Sequence, residues 1–305
     1  MKLRIATIAV VVVVLALLVN AFLVDRTERS AEAFAGGRVL ELDGPDLNVR
    51  EYGGSSGDRA VVLLHGYSAS IEWWEKIAPA LADSGQRVVA IDLVGHGGSE
   101  APRDVEPYGV AGQATAVRSA LGALGVRRAV LVGHSMGGHI ATAVAESDPD
   151  LVERIVVSDT PADQGLTDMP VLGSLGCWPL IGPAIDRFRG VDALTNSSLQ
   201  TGFASEYPVP QLAHRSLEQL THQGVCYSGT DDNERAVADR LAGMGKPVLV
   251  VWGEHDVLTP TAPNVERYGA AGLDRRVIAV SGHSPMVETP GAFVAAITDF
   301  IRPDR

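Results

Sequence analysis

Gly133-His134-Ser135-Met136-Gly137-Gly138 places a serine in a G-x-S-x-G pattern. An apolar run, Ala129–Val132, precedes it and a helix-like stretch, Ile140–Glu146, follows. Strand, sharp turn and helix with this pattern at the turn predict a nucleophile elbow, in which Ser135 Oγ projects above the sheet. Small flanking residues are needed where strand and helix nearly touch. The competing reading is a glycine-rich helix start capped by Ser135. A serine hydroxyl is a weak nucleophile without a base and an acid to orient that base. Both occur downstream, in the order Ser, Asp, His. The run Pro247–Trp252 reads as a buried strand and ends in Gly253-Glu254-His255-Asp256. Arg276–Val280 reads as another and ends in Ser281-Gly282-His283-Ser284-Pro285. Three segments ending at one sheet edge would bring Ser135, Asp256 and His283 together for acyl transfer. Asp159, just past the run Arg154–Ser158, is the competing acid.

The elements that must hold these residues alternate between strand and helix. Arg38–Leu42 and Leu47–Tyr52 suggest an edge hairpin across Asp43-Gly44-Pro45. Ala60–Leu64, Arg87–Ile91, Ala129–Val132 and Arg154–Ser158 are further strands, with helix-length segments Ile71–Ser84 and Val110–Leu124 between them. Such alternation implies βαβ crossovers and a mostly parallel sheet. Residues 161–243 lose the pattern, are rich in Gly, Pro and Ser, and read as an insertion after the sixth strand. Residues 244–305 return to the core with two strands and a closing helix, Gly291–Ile301. The expected division is residues 1–24, a linker 25–37, a core of 38–160 and 244–305, and a cap of 161–243.

From about residue 38 onward the chain resembles the α/β-hydrolase superfamily, in particular its ester-cleaving, monoacylglycerol lipase-like branch. The resemblance rests on His65-Gly66-Tyr67, Asp92-Leu-Val-Gly95-His96-Gly97-Gly98-Ser99, the elbow, Gly253–Asp256 and Gly282-His283-Ser284-Pro285-Met286-Val287-Glu288, in that order. It implies an α/β-hydrolase fold with a mostly parallel eight-stranded sheet, flanking helices and an inserted cap. It also implies that His283 serves as general base and Asp256 orients it. The backbone N–H groups of Met136 and Tyr67 would form the oxyanion hole. Asp92, His65 and Glu288 are expected to order loops. His134 is expected to be a tolerated middle residue of the elbow. At least one of Trp73 and Trp74 is expected in the core, with lining of the acyl pocket the alternative for the other. No cofactor and no metal are expected.

With 305 residues and 46% hydrophobic content, the chain can bury one large α/β core plus an insertion. Net charge −12 argues against nucleic acid as a partner. Lys2 and Arg4 precede an apolar stretch from Ile5 to Val24, followed by Asp25-Arg-Thr-Glu-Arg29. Twenty helical residues reach roughly 30 Å, the thickness of a bilayer core. The preferred reading is a single-pass transmembrane anchor. The alternative is a signal sequence cleaved near Ala33-Phe34-Ala35, which would leave a secreted enzyme. The flanking charges lean towards an extracytoplasmic catalytic domain. Cys177 and Cys226 either pair there and staple the middle segment or stay as two buried thiols.

The expected substrate is a small-molecule or lipid ester with an apolar acyl group, cleaved by a serine esterase or lipase through an acyl-enzyme. A serine nucleophile disfavours epoxide and haloalkane hydrolysis, which related families run from an aspartate. Carbon–carbon bond hydrolysis of ring-cleavage products, lactone hydrolysis and cofactor-free haloperoxidase or perhydrolase chemistry remain alternatives on the same scaffold.

Overall fold

In the computed structural model of the chain, residues 2–53, 57–167 and 176–302 are described. Residues 168–175 of the expected cap lie outside them. The described strands are β1 (Arg38–Leu40), β2 (Leu47–Tyr52), β3 (Arg59–Leu64), β4 (Val88–Ile91), β5 (Arg128–His134), β6 (Val152–Ser158), β7 (Val248–Gly253) and β8 (Asp274–Ile278). They form one eight-stranded sheet in the order β1-β2-β4-β3-β5-β6-β7-β8. The hairpin β1–β2 and the β2–β4 pair are antiparallel. Every later pairing, from β3–β4 through β7–β8, is parallel.

The helices are α1 (Lys2–Asp25), α2 (Ala78–Asp83), α3 (Val110–Ala123), α4 (Met136–Ser147), α5 (Gly182–Ile185), α6 (Asp192–Gln200), α7 (Gln211–Glu218), α8 (His222–Tyr227), α9 (Val237–Gly243), α10 (Thr261–Ala270), α11 (Pro285–Glu288) and α12 (Pro290–Ile301). Unbroken apolar runs in β3, β5 and β6 follow from burial on both faces of the sheet. Val62 and Leu64 of β3 join α3, α4 and α9 in one core layer, while Val61 and Leu63 join α2 and α12 in the other.

Two sequence-based expectations are corrected. The segment Ile71–Ser84 is not one helix. It is a single 3-10 turn, Ile71–Trp74, followed by α2, whose first turn carries Pro79. Proline lacks the N–H that a continuous helix would need there. The final strand ends at Ile278 rather than Val280, which adopts a left-handed φ of 61° and is largely exposed. β8 is an edge strand, so polar Asp274, Arg275 and Arg276 are tolerated in it.

Between β6 and β7 the chain forms α5 to α9. Cys177 and Cys226 are joined by a disulfide, with Cα atoms 5.5 Å apart and a sequence separation of 49. By loop-closure entropy such a bridge contributes about 4 kcal/mol at most. Dithiothreitol, or Cys177→Ser with Cys226→Ser, should therefore lower the calorimetric melting temperature by several degrees. An unchanged melting temperature would show that packing alone holds this segment.

Candidate active site

Ser135 lies between the end of β5 and the start of α4, with φ 49° and ψ −117°. This is the strained backbone that an elbow requires. A Cβ on Gly133 would come within 2.3 Å of Gly137 O, and one on Gly137 within 2.2 Å of Leu64 O. No side chain fits at either position, so strand, helix and the neighbouring β3 can close on the turn only with glycine. The Ser135 amide donates to Ser158 O at 2.8 Å, locking the elbow to β6.

His283 and Asp256 meet near the elbow, where the ring of His134, the residue before Ser135, lies 4.9 Å from that of His283. His283 Nδ1 lies 2.8 Å from Asp256 Oδ2, and both side chains are almost fully buried. Three donors reach Asp256: Leu258 N and Thr259 N each reach Oδ1 at 2.9 Å, and the Thr259 hydroxyl donates to Oδ2. Burial alone would raise this carboxyl. The positive face of His283 and the Thr259 donors outweigh it and leave Asp256 below its ordinary value. Among the described residues His283 Nε2 makes no protein hydrogen bond, and none joins it to Ser135 Oγ. Such contacts commonly close only around substrate.

Asp159, the competing acid, is the third member of this cluster. Ligating atoms of Asp159, Asp256 and His283 all lie within 4.8 Å of one another. Its oxygens accept from Gly253 N at 2.8 Å and the Ser158 hydroxyl at 2.6 Å. Burial, then the charge of Asp256, holds Asp159 well above the normal carboxylate range. Asp159 therefore ties β6 to β7 through Gly253 N, and Asp256 is the carboxylate that faces the imidazole.

Met136 follows Ser135 in the elbow, and the loop carrying Tyr67 passes close to it. Gly66, before Tyr67, is so close that a Cβ there would stand 3.1 Å from Ser135 Cβ. Neither the Tyr67 nor the Met136 amide has an acceptor among the described residues, and Met136 opens α4, where the helix dipole favours negative charge. His65 accepts from Leu93 N at 3.0 Å and donates to Gly66 O at 2.8 Å, which fixes its tautomer and the loop. Asp92 accepts from Asn48 Nδ2, Ile71 N and Gly98 N, so it orders the glycine-rich loop as expected. Burial pushes its carboxyl up to about 6 against those three donors.

His134 and Thr259 escaped the sequence reading as supports, whereas Glu288 orders its loop as expected. His134 is more than a tolerated residue: Nε2 donates to His283 O at 2.7 Å, and its ring stacks on Trp73. Burial, followed by the nearby His283, lowers His134 to about 3, so the donating imidazole is neutral. Glu288 accepts from Gly282 N, Ser284 N and, in the inserted segment, Ala204 N. It thereby clamps both flanks of His283. Trp73 stacks on Phe203 at 5.6 Å and donates to Ser216 Oγ, so it faces the insertion, while Trp74 is wholly in the core. The sequence signal for Glu288 was its place five residues after His283. Thr259 and His134 had no signal beyond nearness to a motif.

Comparison with known proteins agrees with this architecture. Residues 59–176 match the family model for the alpha/beta hydrolase fold. A 2-hydroxy-6-oxononadienedioate/2-hydroxy-6-oxononatrienedioate hydrolase of Burkholderia vietnamiensis is 26% identical over 276 residues, covering 85% of this chain and 93% of that protein. The structure of a putative aryl esterase from Burkholderia cenocepacia superposes with a TM-score of 0.72 at 22% identity, over 87% of this chain and 98% of that one. The structure of Est816, an N-acyl homoserine lactone degrading enzyme, gives a TM-score of 0.66 at 27% identity, over 86% of this chain and all of that one (100%). The matched family model and the sheet order around a glycine-flanked elbow lead to one conclusion: the chain has the α/β-hydrolase fold.

Proposed function

We propose that the protein is a membrane-anchored serine hydrolase that cleaves carboxylic esters with apolar acyl groups. The observation that carries this reading is the His283–Asp256 pair at 2.8 Å beside a serine held at positive φ. Ser135 Oγ attacks the ester carbonyl while His283 Nε2 takes its proton. Asp256 holds the Nδ1–H tautomer and stabilises the imidazolium. The amides of Met136 and Tyr67 receive the oxyanion, and loss of one such donor typically costs about 10²–10³ in turnover. His283 then returns the proton to the leaving alcohol. Water, activated by the same imidazole, releases the acid from the acyl-enzyme.

α1 is long and apolar enough to cross a membrane. Its reading as an anchor, with the catalytic body outside the cytoplasm, is supported by the Cys177–Cys226 disulfide, since such bridges persist in oxidising compartments. We read residues 161–243 as a cap, supported by Trp73 and Glu288, which both bond to it near the elbow.

The test is hydrolysis of p-nitrophenyl esters from acetate to palmitate, with N-acyl homoserine lactones alongside, since Est816 degrades that class. Hydrolysis with an optimum at medium or long acyl length is expected. Inertness towards every ester, with cleavage of a vinylogous carbon–carbon substrate, would contradict the proposal.

A further inference from the structure

The inserted segment carries an apolar strip that the catalytic reading does not use. Trp178, Ile181, Ile185, Phe188, Val191 and Leu194 project from a stretch of seventeen positions, and each is between 43% and 65% exposed. Six large apolar side chains left exposed within one short stretch of a folded domain mark an interaction surface. What covers it follows from its attachment. α1 packs against α5, and Arg187 Nε donates to Asn20 Oδ1 at 2.9 Å. α8 holds the end of the same helix through Gln223, whose amide donates to Val24 O at 3.3 Å and Asp25 O at 3.1 Å. Arg29 Nη1 donates to Gln219 O at 2.6 Å just beyond. The disulfide ties Cys177, next to Trp178, to Cys226 of α8. The strip is thus fixed at several points to the foot of α1.

Depth follows from helix geometry. Asn20 precedes Asp25 by five residues, about 7 Å of helix rise. If Ile5–Val24 spans the apolar core, Asn20 lies just inside its edge and Arg187 reaches it from the headgroup layer. The side chains flanking Arg187 are then at the depth where amphipathic surface elements bury their apolar faces, about 5–10 Å into the interface. Trp178 is of the type enriched at that level.

We propose that this strip docks on the lipid bilayer that α1 spans. It would make the cap a second membrane contact and fix the tilt of the catalytic body. α8 also supplies Val225 O, which accepts from the Tyr67 hydroxyl at 3.0 Å. The oxyanion loop and the anchor foot therefore share one helix, and docking turns that flank of the site towards the lipid. The inference rests on the anchor reading and is independent of the ester chemistry.

The chain contains its own probe. Of four tryptophans, Trp73, Trp74 and Trp252 are buried and Trp178 is 53% exposed. The full chain is reconstituted into phosphatidylcholine/phosphatidylglycerol vesicles with or without bromine on the acyl carbons. Bromolipid should quench roughly a quarter or more of the tryptophan emission, and Trp178→Phe should abolish that quenching. Phe188→Glu with Leu194→Glu should at least halve it and leave p-nitrophenyl acetate turnover unchanged. Three results overturn the proposal. Failure to float with vesicles removes the anchor itself. Flotation without bromolipid quenching, while aqueous acrylamide still quenches Trp178, leaves the anchor and places the strip in water. Flotation with Trp178 shielded from both quenchers means that protein, such as a second copy, covers it.

Discussion

Ser135→Ala should lower kcat for p-nitrophenyl butyrate by about 10⁶, leaving the residual acceleration that binding and oxyanion donors supply without a nucleophile. Nothing else in the site need change. The serine φ of 49° is strained for any residue with a Cβ, so alanine inherits the strain and the melting temperature should be nearly constant. Ser135→Gly is the informative companion. Glycine relieves the strain, and the variant should be equally inactive yet more stable by about 1 kcal/mol, read from urea unfolding. Stability gained as activity is lost would identify the elbow as strain retained for chemistry. A stability loss in Ser135→Gly would show that the serine side chain is structural, as in the helix-cap reading.

Asp256→Asn should cost about 10⁴ in kcat with the fold intact, because the neighbours of this carboxylate leave the amide only one orientation. Leu258 N and Thr259 N both donate to the Oδ1 position at 2.9 Å, so the amide oxygen must sit there. The amide nitrogen then faces His283 Nδ1 and donates to it. That moves the imidazole proton to Nε2, where a base for Ser135 is required. A loss below about tenfold would mean that Asp159 takes over as the orienting acid. That outcome is disfavoured because Asp159 already serves Gly253 N and the Ser158 hydroxyl, and burial holds it well above the normal carboxylate range.

What the sequence made legible was what short-range sterics and periodicity determine. The elbow could be read because Gly133 and Gly137, the two positions that admit no Cβ, lie within five residues of each other in the sequence. The central strands could be read because burial on both faces leaves an unbroken apolar run. The last strand was placed two residues late because β8 pairs only with β7 and needs no such run. The split of Ile71–Ser84 was missed because its apolar spacing survives the break, and only Pro79 marks it. Side-chain partners across long separations were not legible. The contact of His134 with His283 spans 149 residues, and the Glu288 bond to Ala204 spans 84. Neither residue type nor local spacing encodes such a pairing, which exists only once the sheet has brought the loop ends together. The pairing of Cys177 with Cys226 stayed open for the same reason.

The most direct test of the central claim is to label the full-length protein with a fluorophosphonate and locate the adduct by peptide mass spectrometry. A phosphonyl group on Ser135, formed rapidly in the wild type, much more slowly in Asp256→Asn and not at all in Ser135→Ala, is the expected result. A folded wild-type protein that takes no label, or takes it at another residue, would contradict Ser135 as the nucleophile.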